Sequence, residues 1–248
     1  MMARGTSRVR AGALGVLLCV LASCGFDSPV PATSAAIESV GMLAGAGRQP
    51  LALQQLESWS AQGSAVASRE LALAYMLDAN NAPEARPVFL LAAKQGDAPA
   101  AFMLGEAARL GTLQSPDLKA AWDWYELAAQ NNHAEAALML GRMAANGEGI
   151  AADKSSSVRW LIKSARLGSS QAMFLLFLHY SQPGTQEPEW ALARHLLYES
   201  AHKHYPPAMQ TLALALDGGD YGFKKDRQQA MFMMKEAGEE SRNRWNVR

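Results

Sequence analysis

The sequence is 248 residues long, 49% hydrophobic and 19% charged, with 23 basic and 23 acidic side chains. A balanced charge excludes the broad basic surface that nucleic-acid binding requires, so no nucleic-acid partner is expected. Two cysteines, both within the first 24 residues, leave the remainder without a disulfide, so that part must be held together by its core alone.

At the N-terminus, Arg4, Arg8 and Arg10 precede an uncharged and largely apolar stretch from Ala11 to Leu21, the order of a signal-peptide n-region and h-region. That stretch falls short of the about 20 apolar residues that a membrane span needs. It ends in Leu21-Ala22-Ser23-Cys24, which resembles the lipobox of bacterial lipoproteins, with an aliphatic residue, two small residues and the cysteine that carries the lipid. The resemblance implies a signal peptide over 1–23 and lipidation at Cys24. Cys19 would leave with the signal, and loss of the three arginines would give the mature chain a small negative charge. Acyl chains at about 0.8 kcal/mol per buried methylene would hold the protein at the membrane permanently. Gly25 stands where an aspartate commonly marks inner-membrane retention. The resemblance therefore points to the periplasmic face of the outer membrane, with the outer leaflet of the inner membrane as the lesser alternative. Residues 24–33, with Pro29 and Pro31, read as a short tether.

From residue 34 onward the chain repeats itself. Ala100, Ala136, Ala172 and Ala208 are 36 residues apart, and Leu104, Leu140, Leu176 and Leu212 keep the same step, as do Ala93, Ala129, Ala165 and Ala201. A shorter copy aligns Ala67, Leu71 and Ala72, and a degenerate one, within residues 34–66, aligns Ala36, Val40 and Gly41. Each unit reads as two helices. Ala100, Met103, Leu104, Ala107 and Ala108 form the apolar face of the first. Ala121, Trp124, Tyr125 and Ala128 form that of the second, after Asp117 as N-cap. In the following unit Gly147-Glu148-Gly149-Ile150 supplies the tight turn between the two helices. Small residues let the helices approach closely, while Trp124, Trp160, Leu196 and Phe232 supply bulk at one matching place. A single pair could not cover its own apolar face, so pairs must stack. The expected fold is all-α, a right-handed α-solenoid of about six stacked antiparallel helix pairs, with Glu239 to Arg248 as a polar C-terminal cap or tail.

The run Ala136, Leu140-Gly141, Gly147-x-Gly149-Ile150, Asp153, Trp160, Lys163-x-Ala165 and Gly168 resembles the Sel-one-like repeat, a relative of the tetratricopeptide repeat. Leu104-Gly105, Asp117, Ala121, Trp124-Tyr125 and Ala128-Ala129 carry the pattern in the preceding unit, and Gly222-Phe223, Asp226 and Ala230 in the last. It covers residues 67–238. Phe177 departs from it by standing where glycine is usual, and Gln182-Pro183-Gly184-Thr185 is an irregular turn.

Several short motifs suggest chemistry and have simpler explanations. Ser200-Ala201-His202-Lys203 fits the Ser-x-x-Lys pattern of penicillin-recognising enzymes, yet Ser200 shares its register with Ala128 and Ser164, positions kept small for packing. Gly147-x-Gly149-x-x-Ala152 looks like a dinucleotide fingerprint, but no strand precedes it. His195, His202 and His204 cluster without carboxylate or thiolate ligands at regular spacing, so surface histidines are expected and no metal or other cofactor.

In the repeats it resembles, the first helices line a concave face. That register assigns the protein-binding positions Arg69, Leu73 and Met76, then Phe102, Glu106 and Arg109, then Leu138 and Arg142, Phe174 and Leu178, and Gln210 and Leu214. Aromatic, aliphatic and arginine side chains of this kind dominate interface energetics, although the same apolar residues would also serve neighbouring helices. The expected function is a non-enzymatic scaffold or adaptor that grips an envelope protein, in the context of secretion or polysaccharide-export assembly, with no obligate small-molecule ligand. The alternative is a peptidoglycan- or β-lactam-interacting binder or hydrolase acting through Ser200 and Lys203. Replacing Phe102 and Arg142 with alanine is the expected way to abolish partner capture.

Overall fold

The computed structural model describes residues 33–47, 49–78, 81–113, 115–182 and 187–246; the expected signal segment and Cys24 lie outside these. The described residues contain twelve α-helices and no strand. They are α1 (Ser34–Gly47), α2 (Pro50–Ala61), α3 (Ala65–Met76), α4 (Ala82–Lys94), α5 (Ala98–Leu110), α6 (Leu118–Gln130), α7 (Ala134–Asn146), α8 (Lys154–Arg166), α9 (Ser170–Tyr180), α10 (Glu187–His202), α11 (Pro206–Gly218) and α12 (Arg227–Asn246). A 3-10 turn, Asp220–Gly222, lies between the last two.

Several helices begin where polar side chains satisfy the free backbone N–H groups of a first turn, while those starting at Pro50, Ala82 and Pro206 carry proline in the first turn instead. Asp97 accepts from the Ala100 amide at 2.7 Å, Asp117 from Ala120 at 2.9 Å, Asp153 from Ser155 at 2.9 Å and Ser169 from Ala172 at 3.2 Å. Helix α7 ends at Gly147, whose φ of +76° places it in the left-handed region, with its N–H returned to the Met143 carbonyl.

Consecutive helices form six pairs, and the second helix of each of the first five pairs also packs on the first helix of the following pair. This is the stack that the 36-residue period predicts. Ala100, Ala136, Ala172 and Ala208 are all fully buried, and Leu104, Leu140, Leu176 and Leu212 are at most 3% exposed. Apolar clusters succeed one another along the chain, from Ile37 to Ala74, Ala72 to Ala144, Leu138 to Leu176 and Phe177 to Ala237. The core is therefore a seam running the length of the stack.

Close approach within a pair depends on the residue after each repeated leucine. A Cβ at Gly105 would lie 2.6 Å from the Tyr125 ring, and one at Gly141 would lie 2.9 Å from Leu161. In the next unit Phe177 occupies that place. Its ring is fully buried, with the Tyr221 ring edge-on at 5.2 Å and Phe174 at 5.8 Å. The aromatic side chain fills space that a close helix approach closes in the other units.

The bulk position of the second helices departs from expectation at the end of the chain. Trp124, Trp160 and Leu196 are partly buried, whereas Phe232 is 60% exposed. Helix α12 is the last described helix, and among the described residues no further pair covers this face. It continues to Asn246, so most of the expected polar tail, from Glu239, is helix.

Candidate interaction surface

The residues assigned to a single binding stripe fall into two rows with different surroundings. In the first row, three side chains near the middle of a first helix reach the N-cap of the next first helix. Arg69 bonds Asp97 at 2.9 Å. Phe102 stacks on the His133 ring at 4.6 Å and 18°, and also meets the Tyr125 ring at 5.7 Å. Phe174 meets the Tyr205 ring at 5.6 Å. Leu138 is fully buried among Leu161, Ala172 and Leu176. Gln210, in the last unit, is exposed. The expectation of an exposed groove is thus corrected at Leu138, and Arg69, Phe102 and Phe174 also join units. Each is the knob that one unit inserts against the start of the next. Phe102→Ala would consequently loosen the stack as well as change a surface, so it cannot report on binding alone.

The second row lies one helical turn further on and stays open at most of its places. Met42 is 69% exposed, Leu178 45% and Leu214 62%, Arg142 is exposed, and Leu73 and Glu106 are half-buried. Met42 was not assigned from the sequence, although the register of Val40 and Gly41 against Leu71 and Ala72 would have placed it opposite Leu73. The row is apolar at both ends and charged in the middle. Beside it, Met76 is exposed and Arg109 half-buried.

The charged groups of this face differ in how far they are used internally. Arg69 bonds Glu38 at 2.8 Å, Glu70 at 3.0 Å and Asp97, and so ties α1, α3 and the start of α5 together. Burial pushes the Glu70 and Asp97 carboxyls up, against the opposing pull of Arg69. Arg109 bonds Glu106 at 2.6 Å, and the Tyr125 hydroxyl donates to the same carboxylate. Burial works against the Glu106 charge, but these hydrogen bonds outweigh it and hold its carboxyl below the ordinary value. Arg142 makes no ion pair with any described residue; its charge acts on Glu135, two turns earlier on α7.

Where the first helices begin, His133, Glu135, Ser169, Gln171 and Tyr205 line an open groove of about 520 Å³. Beneath it the buried Ser164 donates to the Ala134 carbonyl at 2.8 Å and Ser200 to the Ser170 carbonyl at 2.7 Å. Two serines 36 residues apart make the same latch, fastening the last turn of a second helix to the first turn of its partner. The Ser200 hydroxyl is fully buried and already committed, while Lys203 is exposed, which leaves no arrangement for a serine nucleophile here. Ser164→Ala and Ser200→Ala should each lower stability by about 1 kcal/mol, measured by denaturant titration, because only the hydrogen bond is lost from a site that already accepts alanine at 128. A loss well above that would mean that the serines do more than latch.

His195, His202 and His204 are exposed, and the His202 ring lies 3.8 Å from the Tyr198 ring. Among the described residues no group of three or more His, Cys, Asp or Glu side chains is placed to hold a metal ion, and no helix is long and apolar enough to cross a membrane.

Residues 98–133, 134–169 and 206–241 each match the Sel1 repeat. The chain carries three Sel1 repeats. The gap between the second and third, 170–205, is itself 36 residues and holds Phe177, so it is a unit in register whose packing residues have diverged; Pro183 to Thr185 of the expected irregular turn lie outside the described residues. No curated protein matches the sequence. Among solved structures, a Sel1 repeat protein from Oxalobacter formigenes superposes with a TM-score of 0.71 at 23% identity, covering 84% of this chain and 88% of that one. A protective antigen of uropathogenic Escherichia coli strains, c5321, displaying an SLR fold, gives 0.66 at 24% identity over 83% of this chain and 45% of that one. At these identities the likeness is one of fold.

Proposed function

We propose that this Sel1-repeat chain is a non-enzymatic scaffold that binds another protein along its first-helix face, tethered to the membrane through lipid on Cys24. The observation that carries it is the row Met42, Leu73, Glu106, Arg142, Leu178 and Leu214, one side chain per helix pair along the length of the stack, exposed at Met42, Arg142, Leu178 and Leu214. Such a row suits an elongated partner segment better than a small molecule. The periplasmic face of the outer membrane is its proposed location, and assembly of secretion or polysaccharide-export machinery its proposed context. Peptidoglycan or β-lactam chemistry at Ser200 has the buried, hydrogen-bonded state of that hydroxyl against it.

A photo-crosslinking residue at Leu178 or Leu214, introduced in the producing cells, should trap one discrete protein. The same residue at Leu91 or Leu192, exposed to about the same degree as Leu178 but on second helices, should trap none. Equal trapping from both sets would overturn the face assignment. The anchor is tested separately: fatty-acid label should enter the wild-type protein and be lost in Cys24→Ser, and unlabelled wild type would remove the anchor while leaving the binding face in place.

A further inference from the structure

The N-caps of the first helices form a register of their own, in which Asp97, His133, Ser169 and Tyr205 occupy equivalent places. His133 is the one of these whose capping atom is an imidazole nitrogen, an acceptor that takes up a proton as the pH falls. The Ala136 amide donates to its Nδ1 at 3.2 Å, so Nδ1 must carry a lone pair and the ring must be neutral for the cap to exist. The same ring is the surface on which Phe102 of the preceding unit stacks. One imidazole therefore both starts α7 and forms part of the joint between the third and fourth helix pairs.

We propose that His133 makes this joint proton-sensitive: protonation at Nδ1 turns the acceptor into a donor facing the Ala136 amide, breaks the cap, and loosens the first turn of α7 together with the Phe102 contact. Three circumstances bear on the direction. A positive charge at a helix N-terminus is disfavoured by the backbone dipole. The ring is half-buried, and burial, though partly opposed by Asp97, lowers its proton affinity. The charged and titratable groups around it are mixed: Asp97 from the preceding cap attracts a proton, Glu135 on its own helix and Tyr205 line the same groove, and the Lys203 ammonium lies near Gly168, which also lines it. A group whose folded pKa is depressed below its unfolded value of about 6.5 favours the folded state when neutral. Its contribution is thus fully present above the unfolded value and is lost as the pH falls from there through the lower folded value.

The proposal is separate from partner binding and is tested on the full chain by amide hydrogen exchange at pH 7.5 and 5.0, corrected for intrinsic rates. Protection at Ala136 and Ala137 should fall about tenfold at the lower pH in the wild type. His133→Ser, which restores the cap chemistry of Ser169 without a titrating group, should hold its protection constant. An equal loss in His133→Ser would assign the effect to other groups and overturn the proposal, as would unchanged protection in the wild type. ¹⁵N shifts of the imidazole supply a check that needs no variant: Nδ1 must be unprotonated at pH 7.5, and a protonated Nδ1 would overturn the proposal outright.

Discussion

Gly149→Ala should destabilise the protein by about 3 kcal/mol, although it adds one methyl group to a surface turn. Gly149 has a φ of +74°, and a Cβ there would lie 2.3 Å from the carbonyl oxygen of Leu118 and 3.2 Å from the amide nitrogen of Lys119. The obstruction is backbone at the start of α6, in the preceding unit, and backbone cannot swing aside as a side-chain tip can. The turn of one unit would have to lift from its neighbour. Gly63→Ala separates the two causes, because Gly63 has a φ of +89° with nothing within 4 Å of its would-be Cβ. That substitution should cost only the conformational part, about 1 kcal/mol. Denaturant titration of both variants checks the pair. Equal losses would mean that the contact with Leu118 contributes nothing.

Phe177→Gly, which writes the usual residue of the repeat back into its place, should also destabilise, by about 4 kcal/mol. Truncating a fully buried phenylalanine costs roughly 3–5 kcal/mol, and glycine inside α9 adds about 1 kcal/mol against alanine; some collapse of the site offsets part of this. The ring is held by Tyr221 and Phe174, and Leu197 takes the register that Tyr125 and Leu161 hold in other units. Helix α10 has thus been placed for an aromatic neighbour. Unfolding should become less cooperative, with the last two pairs melting first, since a stack couples only adjacent units. A stabilised variant, followed by circular dichroism, would show that the site collapses onto glycine as its relatives do.

The two substitutions sort what was legible in the sequence. The period was legible because every unit must bury the same stripe, so Ala100, Leu104 and Ala93 recur at a fixed step. The turn at Gly147 and Gly149 was legible because left-handed backbone favours glycine. The binding face was legible only in part. Arg69, Phe102, Leu138 and Phe174 sit on the same helical face as residues that stay open, and periodicity alone cannot tell a side chain aimed at solvent from one aimed at the next unit. That distinction depends on how far each pair is shifted along its neighbour, which brings Phe102 to His133 and Arg69 to Asp97.

The electrostatics follow the same division. Glu106, Arg109 and Tyr125 are 3 and 16 residues from one another along the chain, and only the first of those spacings is a helical one. Two of the three arginines assigned to the first-helix face proved to be spent on internal carboxylates, leaving Arg142 as the charge that faces outward without an ion pair to any described residue. Residue identity gave no sign of which arginine that would be.

The sequence by itself determined that the chain is a stack of helical hairpins with small residues at the seams, because hydrophobic burial and backbone sterics act locally and repeat with the unit. Only the tertiary structure decided which side chains lock one hairpin to the next and which remain open, that Ser164 and Ser200 are latches, and that His133 must stay neutral to start its helix. Those outcomes depend on distances set by the packing of whole helices: several of the residues recur at the 36-residue step, but the step does not show which group each side chain meets.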